Sequence, residues 1–287
     1  MDPRRSGTAW RRWFLIGAFA MVSAWPVHAT DVLRFGGGSA VPAALRKAIE
    51  SRAPGQLAVP IAWESGPADV RRVVDGTLDA VLVITGPSGP ERPDAPAQAL
   101  VSAELLRTPI LFVVAAESPE RDLRSVDLLA TYALQRTEWP DGTRIRIVLR
   151  PARSVDARAL KMLSPDWQRA VHALEKRPGM VVASRAPEAI DLVAEVPGAI
   201  TGTTLPAASF ARRPARTLSI DGVAATPAAV AGGLYPYHVS IHVVVPVRHR
   251  AFADGLVVEL RRDGPRTTLL RSGHVVPDAR PDAGRRP

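Results

Sequence analysis

Cysteine is absent from all 287 residues, which excludes disulfides and also the thiol that a lipoprotein needs for its lipid anchor. Aromatic residues are scarce, at 5% of the chain. The basic residues are almost all arginine and lie scattered rather than clustered among aromatics, which argues against a nucleic-acid binder. Long apolar runs are missing too. The longest apolar-dominated stretch, Trp13–Val27, has 15 residues, short of the ~20 that a membrane span requires. No internal repeat and no long low-complexity segment interrupts the body of the chain.

Several kinds of chemistry are missing as well. Gly36-Gly37-Gly38 lacks the third spaced glycine and the acidic residue of a dinucleotide fingerprint, and no Gly-Lys-Ser/Thr follows as in a phosphate loop. No Gly-x-Ser-x-Gly elbow occurs. His238 and His242 fall on an extended segment that separates them by roughly 13 Å, too far to share a metal. These absences point away from an enzyme, and no cofactor or metal is implied.

The N-terminus has the make-up of an export signal: Arg4, Arg5, Arg11 and Arg12, then the apolar run, then Val27-His28-Ala29 as a small-residue cleavage site. Arg11-Arg12-Trp13-Phe14-Leu15 resembles the twin-arginine pattern, with Trp10 where Ser or Thr is usual, so Sec and twin-arginine export both stay open. Without a lipid anchor the mature protein is free in the periplasm or secreted. Removing the signal lowers the net charge from +9 to about +6, still a field that attracts anions.

Strands and helices alternate through the remaining chain, which implies an α/β class with largely parallel sheets. The strand candidates are Val32–Phe35, Leu57–Trp63, Ala80–Ile84, Ile110–Ala115, Arg144–Leu149, Met180–Ala183 and Val239–Val245. Helices are expected over Ala68–Asp75, stopped by Gly76, over Ser125–Gln135 with a serine cap, and from Ser164-Pro165-Asp166 onward with Trp167, Val171 and Leu174 inward. Between Gly86 and Ile110 the composition predicts a surface loop and then a short element. Tyr235 and Tyr237 flank Pro236 and suit hinge packing.

Two strand-loop-helix junctions are candidate oxyanion cradles. In the first, Val32–Gly38 runs through glycines into Ser39, and Val41, Leu45, Ala48 and Ile49 follow with helical spacing. Backbone without Cβ atoms lets an anion approach free N–H groups. In the second, Ile145–Leu149 leads to Arg150 and on to Ser154 and Asp156. Arg150 ends an alternating strand, at the C-terminal edge where α/β sheets bind ligands, and its guanidinium fork matches a tetrahedral oxyanion. Ser39, Ser154 and Ser65 each suit a helix cap, a role compatible with ligand binding. Thr85 ends a strand with a hydroxyl to donate. Asp156 has two readings: stabilising its helix dipole, or accepting a proton from a ligand such as hydrogen phosphate.

Taken in order, seven segments resemble the phosphate-type periplasmic solute-binding proteins, the extracytoplasmic receptors of ABC transporters. They are Gly37-Gly38-Ser39-Ala40; Trp63-Glu64-Ser65-Gly66 with Val70, Val73, Gly76 and Asp79-Ala80; Ser125–Tyr132 with Trp139-Pro140-Asp141-Gly142; and Arg150 with Ser154. Pro197-Gly198-Ala199-Ile200 is similar to the family's Pro-Gly-Ala-Ile-Gly turn. Asp221-Gly222-Val223 with Gly233-Leu234-Tyr235-Pro236 is similar to its return segment, and Phe252, Leu269-Leu270 and Gly273 to its closing helix. Two places depart from the pattern: Ile84-Thr85 stands where Ser-Asp or Ser-Arg is usual, and Ser154-Val155-Asp156 where Ser-Gly-Thr is usual.

The resemblance implies a two-lobed type II periplasmic-binding fold with a ligand cleft between lobes. Residues 1–29 would be the signal, 30–110 and 239–277 the first lobe, 111–238 the second, and 278–287 a disordered tail. It implies a monomeric receptor that binds a small oxyanion and hands it to a membrane ABC permease, without nucleic acid. Phosphate is the first ligand, with molybdate, tungstate or sulfate as alternatives. A sensor or interaction protein that has kept the fold without transport is the rival. The ligand residues would be Gly38, Ser39, Ala40, Ser65, Thr85, Arg150, Ser154 and Asp156.

Signal removal is directly testable. Intact mass of the protein from a periplasmic fraction is expected to place the mature N-terminus within about three residues of Thr30, and retention of Trp13–Val27 would contradict it.

Overall fold

In the computed structural model, residues 32–37, 42–50, 61–64, 69–90 and 100–278 are described. The first half of the described chain runs β1 (Leu33–Gly36), α1 (Ala43–Glu50), β2 (Ile61–Trp63), α2 (Arg71–Val74), β3 (Ala80–Thr85), β4 (Leu100–Ala115), β5 (Asp122–Leu123), α3 (Ser125–Tyr132) and β6 (Arg146–Leu149). It continues through α4 (Val155–Lys161), α5 (Pro165–Lys176), β7 (Val181–Val182), α6 (Ala186–Glu195), β8 (Ala199–Thr204) and α7 (Leu205–Ala208). The last elements are β9 (Ala215–Thr217), β10 (Ser219–Ile220), α8 (Pro227–Ala231), β11 (His238–Pro246), α9 (Arg250–Leu260) and α10 (Asp263–Arg271). Among the described residues no helix is long and apolar enough to cross a membrane.

Local chemistry explains many of these boundaries. Ser164 caps α5, its hydroxyl oxygen accepting the Trp167 N–H at 3.3 Å, and Pro165 fills the first turn where no N–H is required. Trp167, Val171 and Leu174 then bury one face, as their spacing predicts. Gly76 has φ +77°, which ends α2 in the left-handed region. The α3 cap differs from expectation. Ser125 is the first helical residue, and its N–H is taken by the Asp221 carboxylate at 2.9 Å. Arg124 stands at the cap with no side-chain cap bond. The helix also stops at Tyr132 rather than Gln135, with Leu134 at φ 58° in the turn that follows.

The sheet order is β2-β1-β3-β11-β4-β8-β6-β7, with β9 also on β4. Pairs β1–β2, β1–β3, β6–β8 and β6–β7 are parallel, whereas β11 runs antiparallel to β3 and β4, and β4 antiparallel to β8. β4 is one strand of 16 residues, where the sequence suggested a loop, a short element and a strand beginning at Ile110. Pro109 accounts for the difference. A proline normally breaks a ladder, but here it stands where the partner changes. Leu100–Pro109 pairs with β11, and Ile110–Val114 pairs with β8.

Two main cores flank that change. One gathers Phe35, Leu45, Ile49, Leu82, Leu106, Val243, Phe252, Leu256 and Leu260. The other gathers Phe112, Tyr132, Trp167, Tyr235 and Tyr237 with Ile147, Leu149 and Ile200. The few aromatics are concentrated there: the Tyr132–Trp167 centroids lie 4.9 Å apart and the Phe112–Tyr237 centroids 5.3 Å apart in an edge contact.

Buried polar contacts pin β4 where it passes between the cores. Arg107 is 4% exposed. It donates two bonds of 2.9 Å to Glu104 and further bonds to the carbonyls of Val230 (2.8 Å) and Ala231 (3.1 Å) at the end of α8. Burial by itself raises the Glu104 carboxyl, but bonds from Arg107 and Ser240 outweigh it and hold the group below its ordinary range. The Tyr235 hydroxyl donates to the Ile110 carbonyl at 2.9 Å. Thr108 and the His274 ring nitrogen Nδ1 are hydrogen-bonded at 2.8 Å.

Burial pushes His274 down to about 4. The unfolded chain therefore takes up a proton near pH 6.5 that the folded chain resists until about pH 4. Stability is full above pH 6.5 and is lost as pH falls toward 4, by on the order of 3 kcal/mol at about 1.4 kcal/mol per pKa unit. Urea unfolding at several pH values is expected to show a weaker acid loss in His274→Gln than in the wild type. Equal losses would contradict this account.

Candidate functional site

Strand β6 has Ile147, Val148 and Leu149 all buried, so the chain leaves the sheet at a fixed point and Arg150 follows immediately. The Arg150 side chain is 12% exposed. Its Nη1–H donates to the Ala183 carbonyl at 2.7 Å, and its Nε–H to Asp156 Oδ2 at 3.3 Å. No described residue accepts from Nη2. Ser154 caps α4, its hydroxyl oxygen accepting the Ala157 N–H at 3.1 Å.

Asp156, 4% exposed, fits neither of its two sequence readings alone. It lies in the first turn of α4, where a carboxylate suits the dipole, but its oxygens are taken by specific donors. Besides Arg150, the Thr204 N–H donates to Oδ1 at 2.9 Å and the Thr203 hydroxyl donates to the same oxygen at 3.4 Å. Buried charge is tolerated when it is paired in this way.

Thr203 and Thr204 end β8, and sequence reasoning passed over them because that stretch was read only as a Pro-Gly-Ala-Ile turn. The Thr201-Gly202-Thr203-Thr204 run was the available signal, since buried hydroxyls need partners. Thr201 finds one in the Val148 carbonyl at 2.9 Å.

Thr85 ends β3 and donates to the Gly86 carbonyl at 3.0 Å. It lines a cleft of about 1020 Å³ between the Thr85–Pro90 segment and the corner of α4 and α5. Among the described residues, the charged or titratable ones lining this cleft are Arg158, Lys161, Arg169 and His172, with no carboxylate among them. Lys161 is bound to Glu175 at 2.8 Å, and Arg169 is paired with Asp166. Arg158 has no ion-pair partner among the described residues. The cleft thus favours anions.

Of the sequence-predicted residues, Arg150 and Asp156 are in contact, Ser154 caps the helix that carries Asp156, and Thr85 lies on the cleft. Arg150, Ser154 and Asp156 are not among the residues that line it. Gly38, Ser39, Ala40 and Ser65 lie outside the described residues. Among the described residues, no group of three or more His, Asp or Glu is placed to hold a metal.

No protein-family model matches the sequence, and no curated protein is significantly similar to it. Solved structures are similar in fold. PstS from Borrelia burgdorferi superposes with a TM-score of 0.71 at 11% identity, covering 87% of this chain and 100% of that one. An ABC-type phosphate transport receptor from Vibrio cholerae superposes with a TM-score of 0.66 at 14% identity, covering 86% and 100%. The fold is therefore mixed α/β, of the two-lobed periplasmic-binding-protein kind.

One close approach across the cleft yields a test. A Cβ on Gly86, after β3, would lie 1.7 Å from the carbonyl oxygen of Met162 at the end of α4. That obstacle is main chain, so trimming the Met162 side chain does not relieve it. Gly86→Ala is expected to separate the two walls and to cost about 1–3 kcal/mol in denaturant unfolding, and Gly86→Ala combined with Met162→Ala to show no recovery. Wild-type stability in Gly86→Ala would contradict the contact.

Proposed function

We propose that this chain is an extracytoplasmic solute-binding receptor for a small oxyanion, phosphate first, which it delivers to a membrane ABC permease. The observation that carries this reading is Arg150. It is fixed by Ala183 and Asp156 at the C-terminal end of a parallel strand, and its Nη2 is not engaged by any described residue. A fork held on one side and open on the other is suited to bidentate capture of an oxyanion. The described lining of the neighbouring cleft, which carries basic residues and no carboxylate, supports it.

In this reading residues 30–110 and 239–277 form one lobe and 111–238 the other, after loss of residues 1–29. Closure buries the ligand and presents a new surface to the permease. Gly38, Ser39, Ala40 and Ser65 serve the ligand from the first lobe with Thr85, and Arg150 and Ser154 from the second, where Asp156 stands against Arg150 as the acceptor a ligand must compete with. Molybdate, tungstate or sulfate is the alternative ligand group. The protein acts as a monomer, without a cofactor, catalysis or nucleic acid.

A second reading, a sensor or interaction protein that carries no solute, is favoured by one observation: Asp156 already balances the Arg150 charge.

Calorimetric titration of the mature protein with phosphate, sulfate and molybdate tests the proposal. Phosphate binding is expected in the wild type, weakened binding in Arg150→Lys, none in Arg150→Ala, and a loss on the order of 1 kcal/mol in Ser39→Ala, where backbone donors remain. Unchanged affinity in Arg150→Ala would overturn the site, and no binding of any of the three anions would favour the sensor.

A further inference from the structure

Three donors of different kinds converge on one buried carboxylate in the wall of the second core. The Arg150 Nε–H reaches Asp156 Oδ2 at 3.3 Å, and the Thr204 N–H and Thr203 hydroxyl reach Oδ1 at 2.9 and 3.4 Å. A guanidinium, a main-chain amide and a hydroxyl are the donor set by which proteins hold small oxyanions. Here the anion belongs to the chain. Asp156 is 4% exposed, and the small void that Arg150 lines with Ala157, Leu160, Glu175 and Gly202 measures about 10 Å³, room for a single water at most.

We propose that the Asp156 carboxylate is the resident anion of this cradle. An external oxyanion reaches Arg150 Nε, Thr203 and Thr204 only by displacing it, and removing it opens a site for a small carboxylate or oxyanion. The physical reason is that the donors cannot go unpaired. Stripped of Asp156, the Arg150 Nε–H, the buried Thr204 amide and the buried Thr203 hydroxyl would each lose the acceptor shown here, with only Nη1 of the guanidinium still held by Ala183, and any small anion that fits restores what was lost. While Asp156 is present, a second negative charge at the same donors meets like-charge repulsion at close range. The inference involves the arginine of the proposed receptor site, yet stands or falls separately, because it is defined by the donors and not by transport.

Thermal unfolding of Asp156→Ala in sodium formate, acetate or phosphate, against chloride at matched ionic strength, tests it. The variant is expected to melt below the wild type in chloride and to rise by about 5–10 °C at a hundredfold excess of formate over its Kd. The wild type should not respond to formate beyond chloride, nor should Asp156→Ala with Arg150→Ala. Should Asp156→Ala fold only when formate is present, that is the same result.

Asp156→Asn, which keeps the shape and loses the charge, is expected to bind phosphate on the order of tenfold more tightly than the wild type. No anion-specific stabilisation of Asp156→Ala, or phosphate affinity in Asp156→Asn at or below wild type, overturns the inference. Arg150-dependent phosphate binding in the wild type would then leave the receptor reading intact. Conversely, formate rescue with no binding of phosphate, sulfate or molybdate to the wild type keeps this inference and removes the receptor reading.

Discussion

The change of partner along β4, between Pro109 and Ile110, is the constraint on which the rest of the structure depends. A strand that belongs to two cores must carry its ladder across the gap between them, and the proline without an N–H stands where the partner changes. The buried Glu104–Arg107 pair, the Tyr235 hydroxyl and the Thr108–His274 bond fasten that crossing from several directions. The register then brings strand ends together. Thr85 lies opposite Ser240 on β11, and Thr204 lies opposite Ile110 on β4. The C-terminal ends of β3 and β8 therefore both approach the crossing, and β6, parallel to β8, releases Arg150 at the same edge.

Charge is distributed unevenly around this edge. Arg150 is mostly shielded and balanced by Asp156, whereas Arg158 in the open cleft has no ion-pair partner among the described residues. Burial makes the first arginine more specific, because its donors are held and little solvent competes. The second contributes mainly a long-range field, which salt screens. A receptor that captures an oxyanion at Arg150 must therefore set the ligand's bonds against those that Asp156 already makes. The balance between these two acceptors decides between a solute receptor and a protein that has kept only the fold.

Much of the fold was legible in the sequence because local chemistry matched the final structure. The Ser164-Pro165 start, the inward stripe of Trp167, Val171 and Leu174, the stop at Gly76 and the strand before Arg150 are all short-range signals. The continuity of β4 was hidden, because a proline reads as a break unless its place in the ladder is known. The strand Ala199–Thr204 was hidden for a related reason: all six residues are buried although four are threonine or glycine, and hydroxyls suit a core only with partners supplied by distant residues. The pairing of Asp156 with Thr203 and Thr204, nearly fifty positions away, left no trace in local spacing. The strand that ends just before Arg150 was legible, although Ile147, Val148 and Leu149 are all buried rather than alternating, and the attachment of Arg150 to Ala183 was not.

The central claim, that Arg150 is the group which meets an oxyanion, is tested most directly by following its own Nε–H. In the ¹⁵N spectrum of arginine side chains, with the Arg150 signal assigned by its loss in Arg150→Lys, phosphate is titrated into the mature protein at constant ionic strength. The account predicts a saturable shift of the Arg150 signal. Saturable shifts confined to other arginines such as Arg158, with Arg150 unmoved at saturation, would contradict it.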